Sequence, residues 1–171
     1  MENTIQTECS PIEIPAFITS SSEEETFTLG KRLSALLEKG SIVALTGRLG
    51  AGKTCFVKGI AIGLGISDTV TSPSYTIVSE YEGFLTRTAG NKIRESVLVY
   101  HIDAYRLGGN SDFSTIGGED IIYGDGISLI EWSERIEEFI PEYALRVSIE
   151  IEPGNTRKIS IFRVLNPEGK L

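Results

Sequence analysis

Hydrophobic and polar positions along the chain alternate between two periods, one suited to strands and one to helices. Residues 14–20, Ile-Pro-Ala-Phe-Ile-Thr-Ser, form a short apolar run whose proline suits an edge strand better than a sheet centre. Ser21 and Ser22 then precede Glu23, Glu24 and Glu25, a hydroxyl cap followed by acids, which predicts a helix start. Phe27, Leu29, Leu33, Leu36 and Leu37 recur at near-helical spacing, and Gly40 predicts the end of that helix. Residues 41–46 predict a strand and residues 55–62 a buried helix. Thr76 to Tyr81 predicts another strand. Residues 83–96, with Gly83, Gly90-Asn91 and several charges, predict a turn or hairpin tip. Residues 96–102 predict a buried strand running into Asp103, and residues 127–130 a strand running into Glu131. Residues 108–118 read as loop with a short helix, and residues 132–139 as a short helix stopped near Pro141. Residues 143–151 and 156–164, joined by Pro153-Gly154-Asn155, predict a terminal hairpin. The pattern as a whole predicts an α/β fold: a mixed sheet with flanking helices and a C-terminal β-hairpin.

Length and composition narrow this picture. At 171 residues the chain is expected to form one domain over residues 14–165, with a flexible N-terminus (1–13) and a flexible tail (166–171). Its net charge of −8 lacks the basic footprint of a nucleic-acid binder, so any nucleic acid is expected to be reached through a partner. Cys9 and Cys55 have no metal-ligand spacing, which fits a reducing cytoplasm rather than a disulfide framework. The first 22 residues are acidic and polar, unlike a signal peptide. No run of about 18 apolar residues occurs, so no membrane span is expected.

The strongest chemical signal is Gly47-Arg48-Leu49-Gly50-Ala51-Gly52-Lys53-Thr54, a complete G-x-x-x-x-G-K-[ST] phosphate-binding loop between the predicted strand and the helix that begins at Cys55. Glycines let backbone N–H groups turn toward phosphate oxygens, Lys53 can reach the β- and γ-phosphates, and the Thr54 hydroxyl can ligate Mg²⁺. The phosphates then sit at a helix N-terminus, where unpaired N–H groups and the helix dipole attract anions. A glycine-rich turn without a ligand requires neither the lysine nor the threonine. The expected ligand is ATP with Mg²⁺: a GTPase would carry N-K-x-D, and Asn91-Lys92-Ile93-Arg94 lacks the aspartate.

Ligands of open α/β sheets bind beyond the carboxyl ends of strands. Asp103 and Glu131 end two apolar strands, so Asp103 is a candidate for holding Mg²⁺, and Glu131 for polarising water or supporting the metal. An acid after a strand is otherwise an ordinary loop residue. Thr71, Ser72, Ser74 and Thr76 follow the first loop-linked helix where a nucleotide-sensing switch commonly lies; the alternative is a polar turn around Pro73. His101, the only histidine, lies in an apolar strand, which favours a structural hydrogen bond over a relay. Arg106 can neutralise phosphate or pair with an acid, and Trp132 can anchor the strand end by packing.

Leu49-Gly50-Ala51-Gly52-Lys53-Thr54, Thr71-Ser72-Pro73-Ser74-Tyr75-Thr76, His101-Ile102-Asp103-Ala104-Tyr105-Arg106-Leu107 and Ile130-Glu131-Trp132, in that order and spacing, resemble the TsaE (YjeE) family of small bacterial P-loop ATPases. The resemblance spans roughly residues 22–160. It implies a role in making threonylcarbamoyladenosine at the tRNA adenosine beside the anticodon, with a TsaB–TsaD pair as partner. It also implies that Thr54 and Asp103 serve Mg²⁺, that Glu131 is essential near the metal or water, that Ser72 and Ser74 lie in the switch, and that the base lies toward Glu23 and Gly154. The chain departs from the family pattern at Arg48, Thr71, Ser74 and the longer segment 83–96. The competing readings are a small-molecule P-loop kinase, against which no Arg-rich lid segment is seen, and a nucleotide-gated binding module with negligible turnover.

Overall fold

The computed structural model describes residues 12–89 and 91–163. Seven strands form one sheet: β1 (Ala16–Ser20), β2 (Ile42–Thr46), β3 (Val78–Ala89), β4 (Asn91–Asp103), β5 (Ile127–Glu131), β6 (Leu145–Glu152) and β7 (Thr156–Arg163). Their order is β1-β7-β6-β2-β5-β4-β3. The centre is parallel, β2 lying between β5 and β6 and β5 pairing onward with β4. The outer pairs β3–β4, β6–β7 and β1–β7 are antiparallel. The mixed α/β sheet and the terminal hairpin are therefore as the hydrophobic pattern predicts. Parallel strands covered on both faces need continuous apolar runs; in β2 and β5 every residue but Thr46 is buried.

Helices α1 (Glu23–Leu33) and α2 (Lys53–Gly63) cover one face over a core that includes Leu33, Phe56, Ile60, Val147 and Ile159. The short helices α3 (Asn110–Thr115) and α4 (Gly118–Ile122) lie over the second core, around Ile102, Phe113, Ile130 and Ile136. Ser22 caps α1 by accepting from the Glu25 N–H, and the three glutamates fill the first turn.

Helices α1 and α2 touch backbone to backbone. A Cβ on Gly59 would stand 2.0 Å from the Phe27 carbonyl oxygen, and one on Gly30 2.1 Å from that of Phe56. Neither obstacle is a side chain that can swing aside. Gly59→Ala is therefore expected to destabilise the fold by about 1–3 kcal/mol, the usual range for overpacking, read as a lower midpoint in urea unfolding.

Three elements differ from expectation. Helix α1 stops at Leu33 rather than near Gly40 and tightens into a 3₁₀ turn at Ser34–Leu36. The Ser34 hydroxyl donates to the Lys31 carbonyl, diverting a group the next helical turn needs. Segment 83–96 is mostly strand: β3 and β4 stay in register from Val78↔Ile102 to Ala89↔Asn91. Gly83 breaks nothing; a Cβ there would meet Val99 at 2.9 Å, so glycine permits close packing inside the sheet. Residues 133–139 form 3₁₀ turns kinked at Ile136, entered through Trp132 in the left-handed region at φ 59°.

The flexible segments expected at the ends fall largely on residues 1–11 and 164–171, outside the described residues, as does Cys9; Ile12 is buried in the first core. Among the described residues no helix is long and apolar enough to cross a membrane.

Candidate functional site

The site is assembled at the carboxyl edge of the parallel strands. β2 delivers the chain to Gly47, and the glycine loop passes it on to α2 at Lys53. Gly52, at φ 109°, adopts a backbone conformation that a side chain would strain, and it caps the start of α2. A Cβ on Gly47 would stand 2.4 Å from the Ile149 carbonyl oxygen, so the loop can lie this close to β6 only with glycine there.

The loop forms one wall of a cleft of about 580 Å³. Leu49, Gly50, Ala51, Gly52, Lys53, Thr54 and Cys55 line it, facing Ser72, Ser74, Asp103, Glu131 and Trp132. Gly47 and Arg48 contribute differently: their carbonyls accept from the Lys53 ammonium at 2.6 and 3.2 Å. Lys53 Nζ also lies 3.6 Å from the centre of the Trp132 ring, a cation–π contact. Burial pushes the Lys53 pKa below its ordinary value, while Glu131, Glu134 and Asp103 pull it back up.

Asp103 and Glu131 are register partners on adjacent parallel strands, which brings both carboxylates to the same edge. Both are buried. Asp103 Oδ2 accepts from the Ser72 and Ser74 hydroxyls at 2.5 and 2.8 Å, and its Oδ1 from the Tyr105 N–H at 3.0 Å. Glu131 Oε2 accepts from the Thr54 hydroxyl at 2.9 Å, and its Oε1 lies 2.9 Å from His101 Nε2. The loop, the serine segment and the two strand ends thus join in one polar cluster. Thr76 is not part of it. A turn closed by the Ile77 N–H on the Pro73 carbonyl carries Thr76 outward, where it is exposed and off the cleft.

Two residues enter beyond their sequence reading. His101 is fully buried against Glu131, and its Nδ1 has no hydrogen-bond partner among the described residues. Because a carboxylate only accepts, Nε2 carries the proton in this contact. The signal was its two-residue spacing from Asp103, which puts both on one face of β4. Arg157 of β7 belongs to none of the sequence motifs, yet its Nε donates to the Ala51 carbonyl of the loop at 3.2 Å. The signal was a polar residue in the inward series Arg157, Ile159, Ile161.

Around the mouth, Trp132 packs on Tyr105 with centroids 4.9 Å apart, an anchor at the strand end, and Arg106 lies over the ring of exposed Tyr75 at 4.3 Å. Glu23 lines the cleft where the base was expected, and its carbonyl accepts from the Cys55 thiol at 3.2 Å. Burial, then the Glu23 charge, push the Cys55 pKa up. Gly154 is not among the lining residues.

A glycine loop between a central parallel strand and a helix, with acids ending the neighbouring strands of a mixed sheet, defines a P-loop NTPase fold. The family model described as threonylcarbamoyl adenosine biosynthesis protein TsaE matches residues 20–159, and the chain belongs to this family. The tRNA threonylcarbamoyladenosine biosynthesis protein TsaE of Treponema pallidum is 42% identical over 142 residues, covering 83% of this chain and 96% of that protein. Its namesake in Bacillus subtilis is 37% identical over 144 residues, 84% of this chain and 82% of the relative. The crystal structure of Bacillus subtilis YdiB aligns with a TM-score of 0.67 and 31% identity, over 91% of this chain and 89% of that one.

Proposed function

We propose that this chain binds and hydrolyses ATP in the biosynthesis of tRNA threonylcarbamoyladenosine, supporting repeated cycles of a TsaB–TsaD-like complex. The observation that carries the reading is the convergence of Lys53, Thr54, Asp103 and Glu131 on one cleft in a chain of this family. The donor set fits Mg²⁺, which takes one or two carboxylates with phosphate and water oxygens. Thr54 and Asp103 would hold it, and when bound it would neutralise charge on the phosphates.

The chain's own residues divide the remaining work. The loop's N–H groups and Lys53 bind and orient the phosphate chain. Glu131 is held at both oxygens, by Thr54 and by His101, so its carboxylate is fixed in direction. That suits a group that orients the attacking water over one that must swing to meet it. Ser72 and Ser74 tether their segment to Asp103, so a ligand that competes for this carboxylate changes the order of the segment and the surface beside it. Partner contact is assigned to that surface, and tRNA is reached through the partner because the chain carries a net charge of −8.

Reconstituting tRNA threonylcarbamoylation with cognate TsaB and TsaD proteins tests the proposal. Multiple-turnover modification is expected to require this chain, ATP and an intact Lys53, while the chain alone hydrolyses ATP slowly. Equal turnover without the chain, or efficient phosphorylation of a metabolite by the chain alone, overturns it.

A further inference from the structure

Arg157 lies outside every motif of the loop and the acidic strand ends. It occupies the first inward position of β7, below Ile159 and Ile161, which are fully buried; Arg157 itself is 8% exposed. Its guanidinium grips two backbone carbonyls: Nε donates to Ala51 at 3.2 Å and Nη1 to Asn155 at 3.2 Å. Both partners are neutral, and among the described residues no carboxylate lies within ion-pair distance of it. A buried cation without a counter-charge is unfavourable, and carbonyl dipoles offset only part of that cost. The charge is felt inside the cleft, where Arg157 draws the Cys55 pKa down against the burial that raises it.

The contact with Ala51 also has a direction. In a trans peptide the C=O and the following N–H point opposite ways. Holding the Ala51 carbonyl toward Arg157 therefore turns the Gly52 N–H away from the hairpin. Gly52 is free to adopt many backbone conformations, so something outside it must select one. The arginine stem packs there too: a Cβ on Gly52 would lie 3.4 Å from Arg157 Nε.

We propose that Arg157 is a positioning residue of the phosphate loop: it sets the Ala51–Gly52 peptide from behind and leaves an unbalanced positive charge for which the phosphate chain of a nucleotide is the counter-ion. The terminal hairpin is then part of the anion-binding apparatus, although it brings no side chain into the cleft. This rests on the nucleotide-binding reading above and is independent of the tRNA step.

The test is calorimetric titration of the full chain with ADP and with Mg·ATP, comparing wild type, Arg157→Met and Arg157→Lys, with thermal midpoints recorded in parallel. Methionine keeps much of the stem and removes charge and donors. It is expected to weaken both nucleotides about tenfold or more, the scale of a lost charge-assisted hydrogen bond. Lysine keeps the charge without the fork and is expected to recover part of the loss. In ATPase assays KM is expected to rise by a larger factor than kcat falls. If Arg157→Met folds and binds ADP within about twofold of wild type, the role is structural and the inference is overturned. Should Arg157→Met fail to fold, Arg157→Lys decides: wild-type ADP affinity in that variant overturns the positioning role. Wild-type protein that binds neither nucleotide overturns the nucleotide-binding reading itself, whereas a nucleotide-binding wild type with an indifferent Arg157 removes this inference alone.

Discussion

Lys53→Ala is expected to weaken Mg·ATP binding by about a hundredfold or more, the scale of truncating one partner of a buried charged contact. Lys53 is the cation that the motif itself specifies, and its ammonium already sits in the cleft, between the Gly47 and Arg48 carbonyls and the Trp132 ring. Burial lowers its pKa, so the ammonium is poorly solvated there and gains more from an arriving phosphate than an exposed lysine would. The same argument separates binding from folding. Removing a desolvated charge relieves the folded state of its burial cost, so the thermal midpoint is expected to stay near wild type while affinity collapses. Calorimetry with unchanged Mg·ATP affinity in Lys53→Ala would falsify the assignment of the cleft.

Glu131→Gln is the second large effect: turnover is expected to fall by about a hundredfold or more, within the usual range for a carboxylate acting on the reacting water. Glutamine keeps the shape, yet an amide offers one acceptor where the site presents two donors. The Thr54 hydroxyl can rotate to donate elsewhere, whereas the His101 ring is fixed by burial. ATP affinity within about tenfold of wild type, with turnover lost, identifies Glu131 as orienting water; parallel loss of Mg²⁺-dependent affinity places it with the metal. Full activity in the partner-supplemented assay removes it from the mechanism.

The parts legible in the sequence are those whose partners lie nearby or whose pattern is continuous. β2 and β5 are apolar runs, broken only by Ser128, up to Thr46 and Glu131 at their ends because both faces are covered, and the octapeptide that leads from β2 into α2 carries its own chemistry. Asp103 and Glu131 were legible as the residues at which the apolar runs of β4 and β5 stop. Gly83 was not, because a glycine that opens a turn and one that admits a neighbour look alike; what decides it is Val99, Leu64 and Ile66, brought in from other elements. His101 and Arg157 were each visible as a polar residue in a buried series. Their roles depend on neighbours that the local pattern does not specify: for His101 the alignment of β4 with β5, and for Arg157 a loop 106 positions earlier. Thr76 shared the composition of Ser72 and Ser74, but a single turn directs it outward.

The pairing of Asp103 with Glu131 across two parallel strands makes their spacing a property of the backbone. It is set by the gauge of the sheet, about 4.8 Å between neighbouring strands, and not by the length of any connection. β4 runs for 13 residues, roughly 40 Å, and the acid stands at its last one. Tolerance to changes in chain length is therefore graded along this strand. At its start, residues can be added or a foreign segment grafted without altering the distance between the carboxylates. Near its finish, one inserted residue between His101 and Asp103 would turn one of them to the opposite face while leaving the other in place, so that the two no longer meet Glu131 from the same side of the sheet.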